Sequence, residues 1–175
     1  MINDFIYTIG HFAPFLVSTL SLYLLWNKQN FLHAYIIGLI IDFFVVNNVL
    51  KHLIKSPRPS EDIALFYAKK THAYNLLNPQ QYGMPSGHAQ NLFYSSIFIL
   101  LTFKNVYISA FYFLLTLISL CQRILYKYHT PFQILIGCIV GMIIGYTTYN
   151  LTTKKIAQNT NIKDDKHSIS KYVNN

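Results

Sequence analysis

The residues of this 175-residue chain that could do chemistry are three cations, two histidines and a Ser-Gly pair: Lys51, Arg58, Ser86, Gly87, His88, Arg123 and His129. An arginine guanidinium offers a planar fork that matches phosphoryl oxygens, and a lysine ammonium adds a point charge. A histidine can attack phosphorus or give a proton to a leaving oxygen. If the fold brings these residues together, they are suited to phosphoryl transfer.

The segment Pro85–His88 is predicted to open a helix. Ser86 is a suitable N-cap, and Gly87 lets the backbone approach a ligand closely. A helix N-terminus presents free N–H groups and the positive end of the helix dipole, both of which favour phosphate. The segment therefore predicts an anion-binding helix start.

The composition places these residues in a membrane protein. The chain is 53% hydrophobic and only 11% charged, whereas soluble domains carry about 25% charged residues. Stretches without Asp, Glu, Lys or Arg reach 23, 33, 18 and 26 residues, and a helix needs about 17–25 residues to cross a bilayer. These values exclude a disordered chain, a disulfide scaffold and most ordinary soluble enzymes.

Five membrane-spanning helices are predicted in an all-α bundle: Phe5–Trp26, Phe31–Leu50, Ser86–Phe103, Asn105–Gln122 and Thr130–Leu151. They form a transmembrane domain over residues 1–151, followed by a flexible polar tail over 152–175. A short helix is also predicted over residues 60–70. Because successive spans alternate in direction, the three cations and two histidines meet at one membrane face. Cations gathered in a charge-poor protein need an anion.

Three motifs in this order carry a family resemblance. Lys51 is followed after six residues by Arg58-Pro59, Pro85-Ser86-Gly87-His88 comes next, and Arg123 is followed after five residues by His129. This pattern resembles the three-part signature of the type 2 phosphatidic acid phosphatase (PAP2) superfamily, which includes lipid phosphate phosphatases and bacterial polyprenyl-diphosphate phosphatases.

The resemblance implies a role for each site residue. His129 would attack phosphorus and form a phosphohistidine, and His88 would protonate the leaving oxygen and then activate water. Three cations, which we call the site cations, would bind phosphoryl oxygens with the Ser86 hydroxyl and the Gly87 N–H: Lys51, Arg58 and Arg123. The implied activity is hydrolysis of a lipid-linked phosphate or diphosphate ester, with no metal or other cofactor.

The chain departs from the family pattern at two positions. Gln122 stands where the family usually has Ser, and Gln133 stands where it has the Asp that orients the nucleophilic imidazole. The Gln133 carbonyl could accept the Nδ1–H bond of His129 without bringing charge, or Gln133 could serve only in a capping box with Thr130. Loss of the carboxylate predicts reduced activity.

Asp42 is the only acidic residue inside a predicted span. It lies about 13.5 Å along a helix from Lys51, on roughly the opposite face. We therefore expect its carboxyl to face a helix partner or a polar cavity, and not to replace the missing carboxylate.

Two alternative functions stay open: a relative that binds lipid phosphates or partners without turnover, and a phosphotransferase.

The basic residues behind the net charge of +8 lie at the edges of the spans and in the tail. Membrane lipids and a lipid phosphate are therefore the expected partners, and nucleic acid is not. When the three site cations are left out, four Lys/Arg flank the spans on the site side and seven flank them on the other side. Basic residues are in excess on the cytoplasmic side of membrane proteins, so the site is predicted to be extracytoplasmic. The pattern predicts no particular oligomeric state.

Overall fold

The computed structural model describes residues 2–59 and 82–173, with side chains described over 4–59 and 82–160. Every regular element in these ranges is helical: α1 Ile2–Leu25, α2 Gln29–Ile40, a π-helical segment Ile41–Asn47, α3 Asn48–Ile54, α4 Gly87–Phe103, α5 Val106–Leu125 and α6 Pro131–Val173. The helix predicted over residues 60–70 lies outside the described residues.

Four helical stretches in the described ranges are long and apolar enough to cross a membrane: Asp4–Leu25, Gln29–Ile54, Val106–Leu125 and Pro131–Thr160. The third predicted span corresponds to α4, which has 17 residues and packs against α1, α2, α5 and α6. Large apolar side chains such as Phe15, Phe44 and Leu135 are exposed on the outside of the bundle. A helix bundle with an apolar exterior suits lipid as its solvent, so the predicted all-α membrane bundle is confirmed.

The second predicted span continues beyond its predicted end at Leu50. The π-helical segment joins α2 to α3 without a break, and the helix ends only at Ile54. Lys51 therefore lies in the last turn of the helix, with its side chain buried. At the other end of the chain, α6 runs through Val173, and the division between a transmembrane domain and a polar tail at residue 151 stays a prediction.

Three lysines in the left-handed conformation follow helices α3, α4 and α5. They are Lys55, Lys104 and Lys127, with φ values of 51°, 50° and 54°. A single left-handed residue ends a helix because it turns the chain away from the helix axis. Two of these turns, at Lys55 and Lys127, follow the helix ends that carry Lys51 and Arg123.

Glycines on one face of α6 bring its backbone against that of α4. Gly137, Gly141 and Gly145 recur every four residues, so they share a face. A Cβ at Gly137 would lie 2.6 Å from the Ser86 carbonyl oxygen, and one at Gly145 would lie 2.7 Å from that of Tyr94. No larger residue fits such a contact without movement of the backbone. The glycines therefore set the start of α4 directly beside the start of α6.

Tyrosine hydroxyls bond between the helices of the core. The Tyr94 hydroxyl donates to the carbonyl oxygen of Tyr35 at 2.7 Å, and the Tyr35 hydroxyl lies 2.7 Å from the Ser95 hydroxyl. The Tyr112 hydroxyl lies 2.9 Å from that of Ser21. Buried polar groups of this kind must be paired among themselves because lipid offers no partners. These bonds fix α2 against α4 and α1 against α5.

Candidate active site

Arg58, Arg123 and the two candidate histidines come together at one end of the bundle, as the alternation of spans predicts. Lys51, in the last turn of α3, is close enough for its charge to act on His129. Arg58 donates from Nη1 to the carbonyl oxygen of Tyr128 at 3.0 Å, and the same atom lies 3.4 Å from Nε2 of His129. Nη2 of Arg123 contacts Nε2 of His88. Segments that are far apart in sequence therefore form one cluster of basic side chains.

His129 is held in a defined orientation by two bonds to the backbone. Its side chain is 4% exposed. Its main-chain N–H donates to the Arg123 carbonyl oxygen at 3.2 Å, and Nδ1 lies 2.8 Å from the Gly83 carbonyl oxygen. A carbonyl oxygen only accepts hydrogen bonds, so Nδ1 carries the proton in this bond. The unprotonated Nε2 then faces Arg58 with its lone pair.

The surroundings keep the imidazole of His129 uncharged. Burial, followed by the charges of Arg58 and Lys51, lowers its pKa to about 3, while the bond to Gly83 acts in the opposite direction. An imidazole with this pKa is neutral at physiological pH. A neutral imidazole with a free Nε2 lone pair is the form that can act as a nucleophile.

Arg123 connects the third motif to the second. Its guanidinium carbon lies 4.8 Å from the centre of the Tyr128 ring, a cation–π distance that holds the planar group in place. Besides its contact with Arg123, Nε2 of His88 lies 3.1 Å from the His11 carbonyl oxygen. Nε2 of His88 thus has an acceptor nearby when protonated and a donor nearby when unprotonated.

The start of α4 differs in one respect from the predicted cap. Ser86 occupies the N-cap position, but its side chain makes no capping hydrogen bond, and its buried hydroxyl has no partner among the described residues. The Ser86 N–H instead donates to the Gln133 carbonyl oxygen at 3.1 Å. Ser86 is therefore the N-cap residue, as predicted, but its hydroxyl does not cap the helix.

Gly87 leaves space at the helix start. A Cβ at this position would be no closer than 3.5 Å to any neighbouring atom, the nearest being Oδ1 of Asn47. This is ordinary van der Waals contact, so the protein itself does not require glycine here. The absence of a side chain at position 87 would let an anion approach the first N–H groups of α4 closely.

Gln133 forms the capping box that was one of its two predicted roles. The Thr130 N–H donates to Oε1 of Gln133 at 3.1 Å, and the Gln133 N–H donates to the Thr130 hydroxyl at 3.2 Å. Nε2 of Gln133 donates to the Ser56 hydroxyl at 2.9 Å and to the Pro57 carbonyl oxygen at 2.7 Å. The other expected partner of this side chain, Nδ1 of His129, is bonded to Gly83 instead.

Asp42 faces a helix partner, as expected. Its Oδ1 accepts from Nε2 of Gln90 at 3.0 Å, and Oε1 of Gln90 accepts from Nδ2 of Asn47 at 2.8 Å. Nδ2 of Asn47 also lies 3.5 Å from the Pro85 carbonyl oxygen. A chain of buried polar groups therefore links Asp42 to the start of α4.

Sequence reasoning missed three residues that shape the site: Gly83, Asn47 and Gln90. Two of them are amides within apolar helices, a signal that could have identified them because polar groups in lipid need partners. Gly83 had no comparable signal, since its contribution is made by backbone atoms.

In the described ranges, no three His, Cys, Asp or Glu side chains form a group that could hold a metal ion.

Comparisons with known proteins identify the family of this chain. The model of the PAP2 superfamily matches residues 30–157. A dolichyldiphosphatase of Saccharomyces cerevisiae is 33% identical over 111 residues, which cover 58% of this chain and 44% of that protein. The match thus spans less than half the length of that relative, and no solved structure matches the chain. The family match covers more than half of the chain and all three motifs, and the chain belongs to the PAP2 superfamily.

Proposed function

We propose that this chain is a membrane-embedded phosphatase that hydrolyses a lipid-linked phosphate or diphosphate ester through a phosphohistidine at His129. The observation that carries this proposal is the buried, uncharged imidazole of His129, with Nε2 facing a guanidinium. A nucleophile and an anion-binding group would need to lie this close to each other to act on the same phosphate. PAP2 membership and the similarity to a dolichyldiphosphatase support the same reaction class.

In the first step, Nε2 of His129 attacks phosphorus and the bond to the leaving oxygen breaks. The site cations bind the equatorial oxygens, whose charge must be stabilised in the transition state. The Gly87 N–H and the Ser86 hydroxyl add hydrogen bonds at the start of α4. His88 enters this step as an imidazolium, gives its Nε2 proton to the leaving oxygen and becomes neutral. The Gly83 carbonyl stabilises the imidazolium that forms on His129.

In the second step, water attacks the phosphohistidine. His88, now unprotonated, takes a proton from this water as the P–N bond breaks. Inorganic phosphate leaves, and His129 returns to its neutral form with the proton on Nδ1. The partners of His88 suit this cycle, because the His11 carbonyl can accept from the protonated ring and Arg123 can donate to the unprotonated ring.

The proposed substrate is a polyprenyl diphosphate or another lipid phosphate. The name of the yeast relative favours the diphosphate. The charged head would enter at the end of the bundle where the basic residues meet, while the lipid tail stays among the apolar helices. The distribution of basic residues favours an extracytoplasmic site.

The test is phosphate release by the purified full chain in detergent, with phosphatidic acid and a polyprenyl diphosphate as substrates. We expect release that is abolished by His129→Ala and maintained in EDTA. His33→Ala provides a matched control, since His33 is an exposed histidine near the start of α2. Equal release by the wild type and His129→Ala would overturn the proposal.

The same assay separates the two alternative functions. Transfer of the phosphoryl group to an added alcohol in place of water would indicate a phosphotransferase. Binding of the lipid phosphate without any release would indicate a non-catalytic relative. Trapping of acid-labile phosphate on His88→Ala, but not on His129→Ala, would support the phosphohistidine directly.

A further inference from the structure

We propose that Gln133 is a positioning residue for Arg58, and that the backbone carbonyl of Gly83 takes over the orientation of His129. This inference rests on the proposed function, because it assigns parts to the same phosphate site. It concerns position 133, one of the two at which the chain departs from the PAP2 pattern. The replacement of the family Asp by Gln133 then gives position 133 a different role in the site, in addition to removing a carboxylate.

The hydrogen bonds of Gln133 require an amide. Its side chain is 2% exposed, and Nε2 uses both hydrogens, one on the Ser56 hydroxyl and one on the Pro57 carbonyl oxygen. Oε1 accepts from the Thr130 N–H. A carboxylate at this position could accept from Thr130, but it could not donate to the Pro57 carbonyl and would repel it.

The segment that Gln133 holds leads directly into Arg58. Helix α3 ends at Ile54, and the left-handed turn at Lys55 carries the chain away from it. The Ser56 carbonyl oxygen accepts from the Gly83 N–H at 2.7 Å. Residues 56 and 57 are therefore held by Gln133 on one side and by Gly83 on the other, immediately before Arg58.

Arg58 depends on this support for its position in the site. Its Nη1 reaches both the Tyr128 carbonyl oxygen and Nε2 of His129. Both partners lie in the loop before α6, and Gln133 lies in the first turn of α6. Gln133 thus ties the backbone before Arg58 to the start of α6, which begins two residues after His129.

Gly83 makes this packing possible. A Cβ at Gly83 would lie 2.5 Å from Nε2 and 2.6 Å from Oε1 of Gln133. The amide of Gln133 therefore lies flat against the Gly83 backbone, which no other residue would allow without movement of that side chain. The same backbone directs its carbonyl to Nδ1 of His129 and its N–H to Ser56.

The test measures the affinity of the purified full chain for inorganic phosphate, which does not require turnover. Gln133→Glu keeps the side-chain length but loses both donors, and we expect it to weaken phosphate binding about tenfold. Gln29→Glu is the matched control, because Nε2 of Gln29 also donates to a backbone carbonyl, that of Trp26, at an exposed position. We expect this control to change phosphate binding by less than about twofold.

A double-mutant cycle tests whether Gln133 acts through Arg58. In an Arg58→Ala background, Gln133→Glu is expected to weaken phosphate binding by less than about a further twofold, because the group it positions is gone. Ser56→Ala removes one acceptor without adding a charge, so it covers the case in which Gln133→Glu does not fold. It is expected to weaken binding about threefold. An equal loss from Gln133→Glu in both backgrounds, or no loss from Ser56→Ala, would overturn the inference.

Turnover provides a second readout that separates the inference from the proposed function. Under the inference, Gln133→Glu raises KM more than it lowers kcat, and Gln133→Asp does not raise kcat. A higher kcat in Gln133→Asp would show that position 133 acts on His129, and the positioning role would be wrong. Absence of turnover in the wild type, together with the expected loss of phosphate affinity, would contradict only the proposed function.

Discussion

Nδ1 of His129 lies 2.8 Å from the backbone carbonyl oxygen of Gly83. Because a carbonyl can only accept, this bond defines the tautomer of the imidazole and leaves Nε2 unprotonated. It does so without placing a negative charge beside the nucleophile. The candidate nucleophile of this chain is therefore oriented by the backbone, and the amide at position 133 is available for other contacts.

The depressed pKa of His129 predicts how stability depends on pH. Burial and the neighbouring cations lower this pKa to about 3, whereas a histidine in the unfolded chain titrates near 6.5. Between these values the unfolded state binds a proton that the folded state does not. The free energy of unfolding therefore falls on acidification, by at most about 1.4 kcal/mol per pH unit from this group.

Thermal unfolding of the wild type and His129→Asn between pH 7.5 and 4.5 measures this effect. We expect the wild type to lose more stability than the variant as the pH falls below 6.5. The contributions of the other titrating groups to the loss of stability are the same in both proteins and cancel in the comparison. Parallel curves would show that His129 titrates normally in the folded protein.

Substitution of Gly87 by alanine is expected to impair substrate binding and catalysis without affecting the fold. A Cβ there would meet only ordinary contacts within the protein, but it would occupy the space beside the helix N–H groups. We expect Gly87→Ala to lower kcat/KM about a hundredfold and to leave the thermal midpoint nearly unchanged.

Gly137→Ala is the matched control with the opposite expectation. Its Cβ would lie 2.6 Å from the Ser86 carbonyl oxygen, so α4 and α6 would have to separate. We expect a lower thermal midpoint together with lower activity. Equal thermal losses in Gly87→Ala and Gly137→Ala would contradict the assignment of the space at Gly87 to substrate.

Replacement of Arg123 by lysine is expected to reduce activity although the charge is kept. The guanidinium both lies over the Tyr128 ring and contacts His88, and a single ammonium cannot do both. We expect kcat/KM to fall about ten- to hundredfold for Arg123→Lys. Lys104→Arg, a cation exchange at the other end of α4, should stay within about twofold of the wild type. Wild-type activity in Arg123→Lys would show that only charge is needed.

Asp42→Asn is expected to retain activity. Oδ1 of Asp42 accepts from Gln90, and an asparagine oxygen can accept the same bond, while Oδ2 has no partner among the described residues. We expect kcat/KM within about twofold of the wild type and a thermal midpoint that changes little. A loss of a hundredfold or more would instead assign this carboxyl to the chemistry.

Local features of the sequence predicted the membrane helices, the end of the bundle that carries the site residues and the protein family. The length of the apolar stretches predicts spanning helices, because crossing a bilayer requires a minimum number of apolar residues. The alternation of spans predicts that Lys51, His88, Arg123 and His129 lie at one end of the bundle. Motif spacing predicted PAP2 membership, which the family match over residues 30–157 confirms.

The sequence by itself determined the class of protein, the order of its helices and the residues that form the basic cluster. Only the tertiary structure decided the partners of these residues. His129 is bonded to a backbone carbonyl 46 positions away, and Gln133 bonds to the segment before Arg58. These bonds depend on how closely the loops at the starts of α4 and α6 approach each other. That distance is set by interhelical contacts at glycines such as Gly137, which no local pattern of residue types specifies.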